Sequence, residues 1–462
     1  MKFSIETLLN QHSNDKFELH EQFLNNQMVR VLKTIGYDRH YKKAVGQYLY
    51  DQEGTEYLDL LSGFGVFAIG RNHPTVIEAL KETLTLELPN LVQLDVSILS
   101  GLLAKEILKT TPDNLTKMFF CNSGTEAVEA AIKFARFTTQ RDKIVFCDHG
   151  YHGLTMGALS LNGENIFKEG FGSLLPNCEA IPFNDLVALE KALSGKDVAA
   201  FIVEPIQGKG VNLPDDNYLP EVERLCKQYG TLFVADEVQT GLGRTGKFWA
   251  VDHWNVQPDM ICMAKALSGG FVPVGGVAIT TKIMDTVYNR MDRAVVHGST
   301  FAKNNMAMAA GLATLEVIKN ENLVENSLKV GTEIINDLNA MSSRYEFLKE
   351  ARGKGMMIAV EFHAPKSLTL KAAWAMLDAA NKGLFCQMVT IPLFKDHHIL
   401  TQVAGHGMNV VKLLPPLNLT QKDHDKIIGA FDKTIADTHK ITGSIWDLGK
   451  NLAGHALKNR KG

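Results

Sequence analysis

The sequence predicts an α/β protein: a mostly parallel sheet covered by helices, followed by a second, smaller domain. Three observations carry that expectation. Between about residues 75 and 320, short apolar runs alternate with helical patterns. Those runs are apolar throughout, so each strand must be buried on both faces, as strands of parallel sheets are. After Lys319 a long amphipathic stretch opens a different set of elements.

The elements follow in order. Residues 1–75 are expected to be the N-terminal segment of the small domain. There the pattern from Phe23 to Leu32 predicts a helix, and YLYDQEGTEYLDLL a hairpin turned at Asp51 to Gly54. Residues 76–330 are the expected large domain. Its apolar runs are KMFFC, KIVFCD, VAAFIVEP, TLFVADEV, DMICMAKAL and GGVAIT, with EAVEAAIKFARF and YLPEVERLCKQYG as helices between them. LVENSLKVGTEIINDLNAM then leads into residues 331–462, a C-terminal small domain containing MMIAVEF and NVVKLLPPL. At the end, Ile445, Leu448, Leu452 and Ala456 share one helical face, followed by Lys458, Arg460 and Lys461. A terminal helix docked on its own domain is expected; contact with a membrane surface is the alternative.

Composition narrows the function. The chain has 462 residues, 45% hydrophobic and 21% charged, which excludes a disordered chain or a coiled-coil rod. Its net charge of −3 gives no cationic field for nucleic acid. No uncharged apolar stretch reaches the roughly 18 residues of a membrane span. The first residues lack the pattern of a secretory signal. Six cysteines lie far apart with no CxxC pair, which suits free thiols in a cytoplasm and not a metal site.

The chemistry-bearing residues fall in loops that end the apolar strands, where ligands bind in doubly wound sheets. Asn122-Ser123-Gly124-Thr125-Glu126 follows KMFFC and opens a helix, whose free N–H groups and positive dipole end suit a phosphate. Taken alone, Ser123 or Thr125 could simply cap that helix. Gly150-Tyr151-His152-Gly153 offers an aromatic able to stack on a heteroaromatic ring. Asp236 closes TLFVA, and a carboxylate at a buried strand end is costly unless a cation, such as a protonated pyridine nitrogen, pairs with it. Glu237 beside it reads as structural. Lys265, 29 residues on, stands among apolar and small neighbours, where desolvation lowers an amine pKa. His297-Gly298-Ser299-Thr300-Phe301 is a further hydroxyl-bearing turn. A phosphate cradle, a stacking aromatic, a carboxylate and a reactive lysine together match the needs of pyridoxal phosphate.

With NSGTEAVEAA, GYHG, VEPIQG, FVADEVQTGLGRTG, AKALSGG, HGSTF and the late PPL in this order, the chain from about Tyr41 to Leu419 resembles the class III (omega-type) aminotransferases, such as the ornithine and 4-aminobutyrate enzymes. The resemblance implies a fold-type I pyridoxal-phosphate transferase with a seven-stranded large sheet and a small α+β domain built from both chain ends. It implies that Lys265 is the Schiff-base lysine and proton shuttle, and that Asp236 holds the pyridine nitrogen protonated. Val238 and Tyr151 would sandwich the ring, and Gln239 would reach its phenolic oxygen. Ser123, Gly124 and Thr125 would hold the phosphate, joined by Thr300 from a neighbouring subunit. A shared site of that kind implies a homodimer or a dimer of dimers. Glu204, in EPIQG, would line the site without an assigned role.

Three positions depart from the family pattern. Leu154 stands where amino-acid-specific relatives carry an arginine for a substrate carboxylate. Lys412 stands where relatives grip the α-carboxylate with an arginine, and lysine binds as a point charge instead of a fork. Lys209 stands where ornithine-type enzymes place a glutamate, and two lysines cannot pair with each other. Phe64 and Phe67 add aromatics at the expected substrate entrance. The implied substrates are an amino acid/keto acid pair, glutamate or a similar acid, and a terminal amine or aldehyde with an apolar tail. The alternatives are an ornithine-, 4-aminobutyrate- or diamine-type enzyme, a glutamate-semialdehyde-type aminomutase, and a catalytically dead scaffold. Retention of both Lys265 and Asp236 argues against the scaffold. A nucleotide-binding reading fails because neither GxGxxG nor GxxxxGK[ST] is present in the required place.

Overall fold

The computed structural model describes residues 3–441 and 443–459, with side chains up to residue 454. The large sheet has seven strands: β1 (Lys117–Cys121), β2 (Lys143–Cys147), β3 (Cys178–Ile181), β4 (Val198–Val203), β5 (Leu232–Asp236), β6 (Met260–Met263) and β7 (Gly275–Ile279). Their spatial order is β1-β7-β6-β5-β4-β2-β3. Only β7 runs against its neighbours, pairing Val277 with both Phe119 and Cys262. Every residue of β4 is buried, which is why its sequence shows no polar alternation. β3 was not among the apolar runs. It is an edge strand paired with β2 alone, and its Glu179 and Ala180 are exposed, so no apolar run marks it.

The helix Gly124–Thr139 packs on this sheet through Ala127, Ala130, Ala131, Phe134 and Ala135. Ser123 caps its start, with Oγ accepting from Glu126 N–H at 3.3 Å. The loops after β1, β2, β5 and β6 all open at the carboxyl end of the sheet, which positions the site.

The smaller part is knit from both chain regions. The predicted hairpin pairs Leu49 with Tyr57, and Asp51 Oδ1 accepts the turn amides of Glu53 and Thr55. The strand Ile399–Leu400 then adds in parallel beside Leu58 and Asp59. A second antiparallel sheet contains Leu348–Lys354, Met357–Phe362, Val410–Leu413 and Gln402–Val403. The expected helix from Phe23 to Leu32 is broken. One helix ends at Phe23 and another runs Asn26–Ile35, because Asn25 accepts the amides of Gln27 and Met28.

The C-terminal helix Ser444–Asn459 docks on the helices Leu368–Ala380 and Leu384–Lys395. It buries Ile445, Trp446, Leu452 and Ala453, and the Trp446 indole N–H donates to the Thr438 carbonyl. Among the residues of its expected face, Ala456, with the following Lys458, Arg460 and Lys461, lies outside the described side chains. Among the described residues no helix is long and apolar enough to cross a membrane.

Candidate active site

The loops at the carboxyl end of the sheet surround a cavity of about 660 Å³. Ser123, Gly124, Thr125, Tyr151, Leu154, Asp236, Val238 and Lys265 all line it. These come from four separate chain segments. A larger cavity of about 900 Å³ between Glu164 and His406 contains none of them, so the chemistry belongs to the smaller one.

At one end is the start of the helix Gly124–Thr139. A side-chain carbon at Gly124 would stand 2.8 Å from Val238 Cγ1, so only glycine lets the helix start approach that loop. Thr125 Oγ1 shares a 2.7 Å hydrogen bond with Thr155 Oγ1. At the other end, Asp236 Oδ1 accepts from Val238 N–H at 3.0 Å, and Oδ2 meets His152 Nδ1 at 2.7 Å. His152 is buried; burial opposes its charge, but the hydrogen bond and charge of Asp236 outweigh it and raise its pKa.

Lys265 follows β6 in a left-handed conformation (φ 43°), a strained state for a side-chain-bearing residue and one that clusters at functional sites. Burial lowers its amine pKa, against the upward pull of Asp236 and Glu204. Glu204, also buried, accepts from Tyr151 N–H (2.9 Å) and Gly208 N–H (2.7 Å), and burial pushes its pKa up. It thus fixes the backbone of the loop carrying the aromatic ring. Glu237 turns away from the cavity, accepting from Thr240 Oγ1 and from Val251 N–H.

Several predicted residues lie beside the cavity and not in its lining. Lys412 is buried, with Nζ donating to the Gly208 carbonyl and to Gln239 Oε1 (2.6 Å). The Gln239 amide is occupied at its other end too, donating to the Phe64 carbonyl at 3.0 Å. Lys209 is drawn away from Lys412. It pairs with Glu164 at 3.1 Å and sits 4.3 Å from the centre of the Phe167 ring and 5.6 Å from that of Tyr151. Phe64 is 54% exposed, and Val66 takes the place expected of it in the cavity wall. Phe67 packs against the Arg71 guanidinium instead. Thr300 is exposed, next to Ser299, whose hydroxyl accepts from Asn122 Nδ2.

Sequence reasoning gave His152 no role. Its place between Tyr151 and Gly153 was visible, but its contact with Asp236 depends on two loops from different strands meeting. Ser268 and Phe271 to Val274, which follow the lysine turn and line the cavity, were likewise missed.

The donor set fits pyridoxal phosphate on structural grounds. The helix start at Ser123, Gly124 and Thr125 opens onto the cavity and suits a phosphate, and a buried carboxylate backed by His152 suits a pyridinium. Comparisons with known proteins agree. The chain is 34% identical over 455 residues to the aminotransferase PigE of Serratia sp. (strain ATCC 39006), covering 92% of this chain and 53% of that protein. It therefore spans about half the length of that curated relative. Its fold is similar to that of the ornithine aminotransferase from Toxoplasma gondii, at TM-score 0.82 and 29% identity over 95% of this chain and 99% of the other. It is also similar to an amine transaminase from an uncultivated Pseudomonas species in its pyridoxal-phosphate-bound form, at TM-score 0.74 and 28% identity, covering 86% and 94%. The sequence profile of the class III aminotransferases matches residues 34–435, and the chain belongs to that family of pyridoxal-phosphate enzymes.

Proposed function

We propose that the protein moves an amino group between an amino acid/keto acid pair, glutamate or a similar acid, and a terminal amine or aldehyde with an apolar tail. Pyridoxal phosphate, when bound, supplies the carbonyl that takes up the amine and the electron sink that weakens the Cα–H bond. In this reading the backbone N–H groups at Gly124 and Thr125, with the Ser123 and Thr125 hydroxyls, hold the phosphate. Tyr151 and Val238 flank the ring, and Asp236, oriented by His152, keeps its nitrogen protonated. Gln239 would reach the phenolic oxygen once released from its present partners. Lys265 Nζ carries the proton, and burial, which lowers its pKa, favours the neutral amine that can accept one.

The observation that carries the substrate reading is Leu154. It lines the cavity where a carboxylate-reading arginine would otherwise stand, with Val66 also in the wall. Leu154 is 53% exposed in the single chain, and a carboxylate set against it would meet no cation there to offset its loss of water. A methylene gains about 0.8 kcal/mol, so four add about 3 kcal/mol, roughly two decades in kcat/KM. The test is kcat/KM over a series of amines with and without a terminal carboxylate, for wild type and Leu154→Arg. Wild type should favour the long alkyl amines, and Leu154→Arg should shift preference towards the acids. A wild-type preference for 4-aminobutyrate or ornithine would sink this reading.

We also propose a homodimer, or a dimer of dimers, in which Thr300 serves the partner's phosphate. Thr300 is exposed, and so are the nearby Val295, Val296 and Phe301. Leu94, Val96 and Ile98 leave further apolar area uncovered, more than isolated surface residues explain. A cytoplasmic setting is supported by six free cysteines, five of them buried.

A further inference from the structure

Lys209 is a buried lysine to which the reading above gives no task. Among the described residues its ammonium has one ion pair, with Glu164 Oε2 at 3.1 Å. Its other close neighbours are aromatic: Nζ lies 4.3 Å from the centre of the Phe167 ring and 5.6 Å from that of Tyr151. The two rings meet edge to face, 5.7 Å apart at 77°. A carboxylate and two rings around a desolvated ammonium make a cation cage. An apolar side chain would fill the same space without the cost of dehydrating a charge, so packing alone does not account for the lysine.

The cage is assembled from three segments whose backbones are fixed separately. Glu164 precedes and Phe167 closes the short turn Asn165–Phe167, and Gly163 N–H just before it donates to the Gly150 carbonyl at 2.8 Å, next to Tyr151. Glu204 accepts the amides of both Tyr151 and Gly208, so the Tyr151 backbone and the start of the Lys209 loop share one anchor. From the small domain, Arg352 donates to the Gly210 carbonyl at 2.8 Å and the Val211 carbonyl at 3.1 Å. None of these bonds reaches the Tyr151 ring. Only burial acts on its hydroxyl, with no side-chain hydrogen bond to orient it. The tilt of the ring therefore rests on what packs against it, and Phe167 and Lys209 do.

We propose that Lys209 is a positioning residue for Tyr151. Its ammonium, neutralised by Glu164, holds the Tyr151 ring with Phe167 at the tilt that flanks the cofactor ring. The small domain takes part, because Arg352 fixes the loop that carries Lys209. That the ring so held flanks the cofactor rests on the reading above; the hold of Lys209 on Tyr151 does not.

The test is the dissociation constant of pyridoxal phosphate on the full chain, beside that of inorganic phosphate measured as its competitor. Inorganic phosphate meets the cradle at Ser123 to Thr125 and has no ring for Tyr151 to flank. Lys209→Met keeps the stem and loses the charge. It should weaken pyridoxal phosphate about fivefold and leave inorganic phosphate unchanged, whereas a general loss of structure would weaken both. Lys209→Arg, whose guanidinium also stacks on rings and pairs with a carboxylate, should return to within about twofold of wild type. In a Tyr151→Ala background, Lys209→Met should cost nothing further, because the two residues act as one unit. Parallel losses for both ligands, no loss in Lys209→Met, no rescue by arginine, or the full loss in the Tyr151→Ala background would each overturn the proposal. Amine transfer is assayed on the same proteins. Coupling of Lys209 to Tyr151 without transfer keeps the positioning role and removes the aminotransfer reading; transfer without coupling does the reverse.

Discussion

His152 Nδ1 and Asp236 Oδ2 lie 2.7 Å apart, both buried in the wall of the cavity. Each arrives from a different strand end, β2 for the histidine and β5 for the aspartate. The other oxygen of Asp236 is fixed by a backbone amide, so the carboxylate has one orientation. His152 is thus a positioning residue for the group assigned to the pyridine nitrogen.

Replacing it with leucine should remove a charge-assisted hydrogen bond of about 2 kcal/mol, a loss of roughly thirtyfold in turnover. The absorbance of the bound cofactor should titrate at a shifted pH in His152→Leu, which a merely packing role would not produce. An unaltered absorbance titration would remove the positioning role.

Lys265→Ala should abolish turnover while leaving the protein folded. Borohydride treatment of wild type followed by mass spectrometry should find the pyridoxyl group on Lys265. An adduct on any other lysine would displace it from its role.

Gly124→Ala should weaken cofactor binding by about tenfold, a cost near 1.4 kcal/mol. The added carbon would stand 2.8 Å from Val238, which is itself tied by its amide to Asp236 and cannot retreat freely. Gly101→Ala is the control: it lies in the helix Ile98–Leu108 with nothing near the added carbon, and should leave the dissociation constant unchanged. Equilibrium dialysis measures both.

Lys412 gives a pH signature. Burial lowers its pKa to about 7; Glu204 pulls it up, while Lys265 and Arg244 push it down. Below that value it is charged and can hold a carboxylate, and above it the charge is lost. The KM of the amino-acid partner, taken relative to that of an amine without a carboxylate, should rise about fivefold between pH 7 and pH 8. In Lys412→Arg the ratio should stay flat, since guanidinium keeps its charge. A wild-type ratio that does not move with pH would contradict a carboxylate role for Lys412.

Much of this was legible in the sequence for a physical reason. Strands buried on both faces, such as Val198–Val203, carry their environment in their composition, and the loops ending them carry the chemistry. The edge strand Cys178–Ile181 was hidden because half of it faces water. The break at Asn25 was hidden because one side-chain oxygen, not periodicity, decides it. The contacts of His152, Lys209 and Gln239 were beyond reach for another reason. Each depends on partners brought from distant segments: Asp236, Glu164, and the pair Phe64 and Lys412. Residue type limits what such groups can do, but only the fold selects whom they meet.

The parallel pairing of Leu58 with Ile399 has a consequence for biosynthesis. The hairpin before Leu60 is synthesised 341 residues (399 − 58) ahead of the strand that covers its open edge. Until then the amides of Leu58 and Leu60, which end up bonded to the carbonyls of His398 and Leu400, have no such partners. An uncovered strand edge is a template for pairing with other chains. Closing so long a loop also comes late in folding. The nascent polypeptide therefore exposes an edge open to pairing with other chains until the strand at Ile399 has been made.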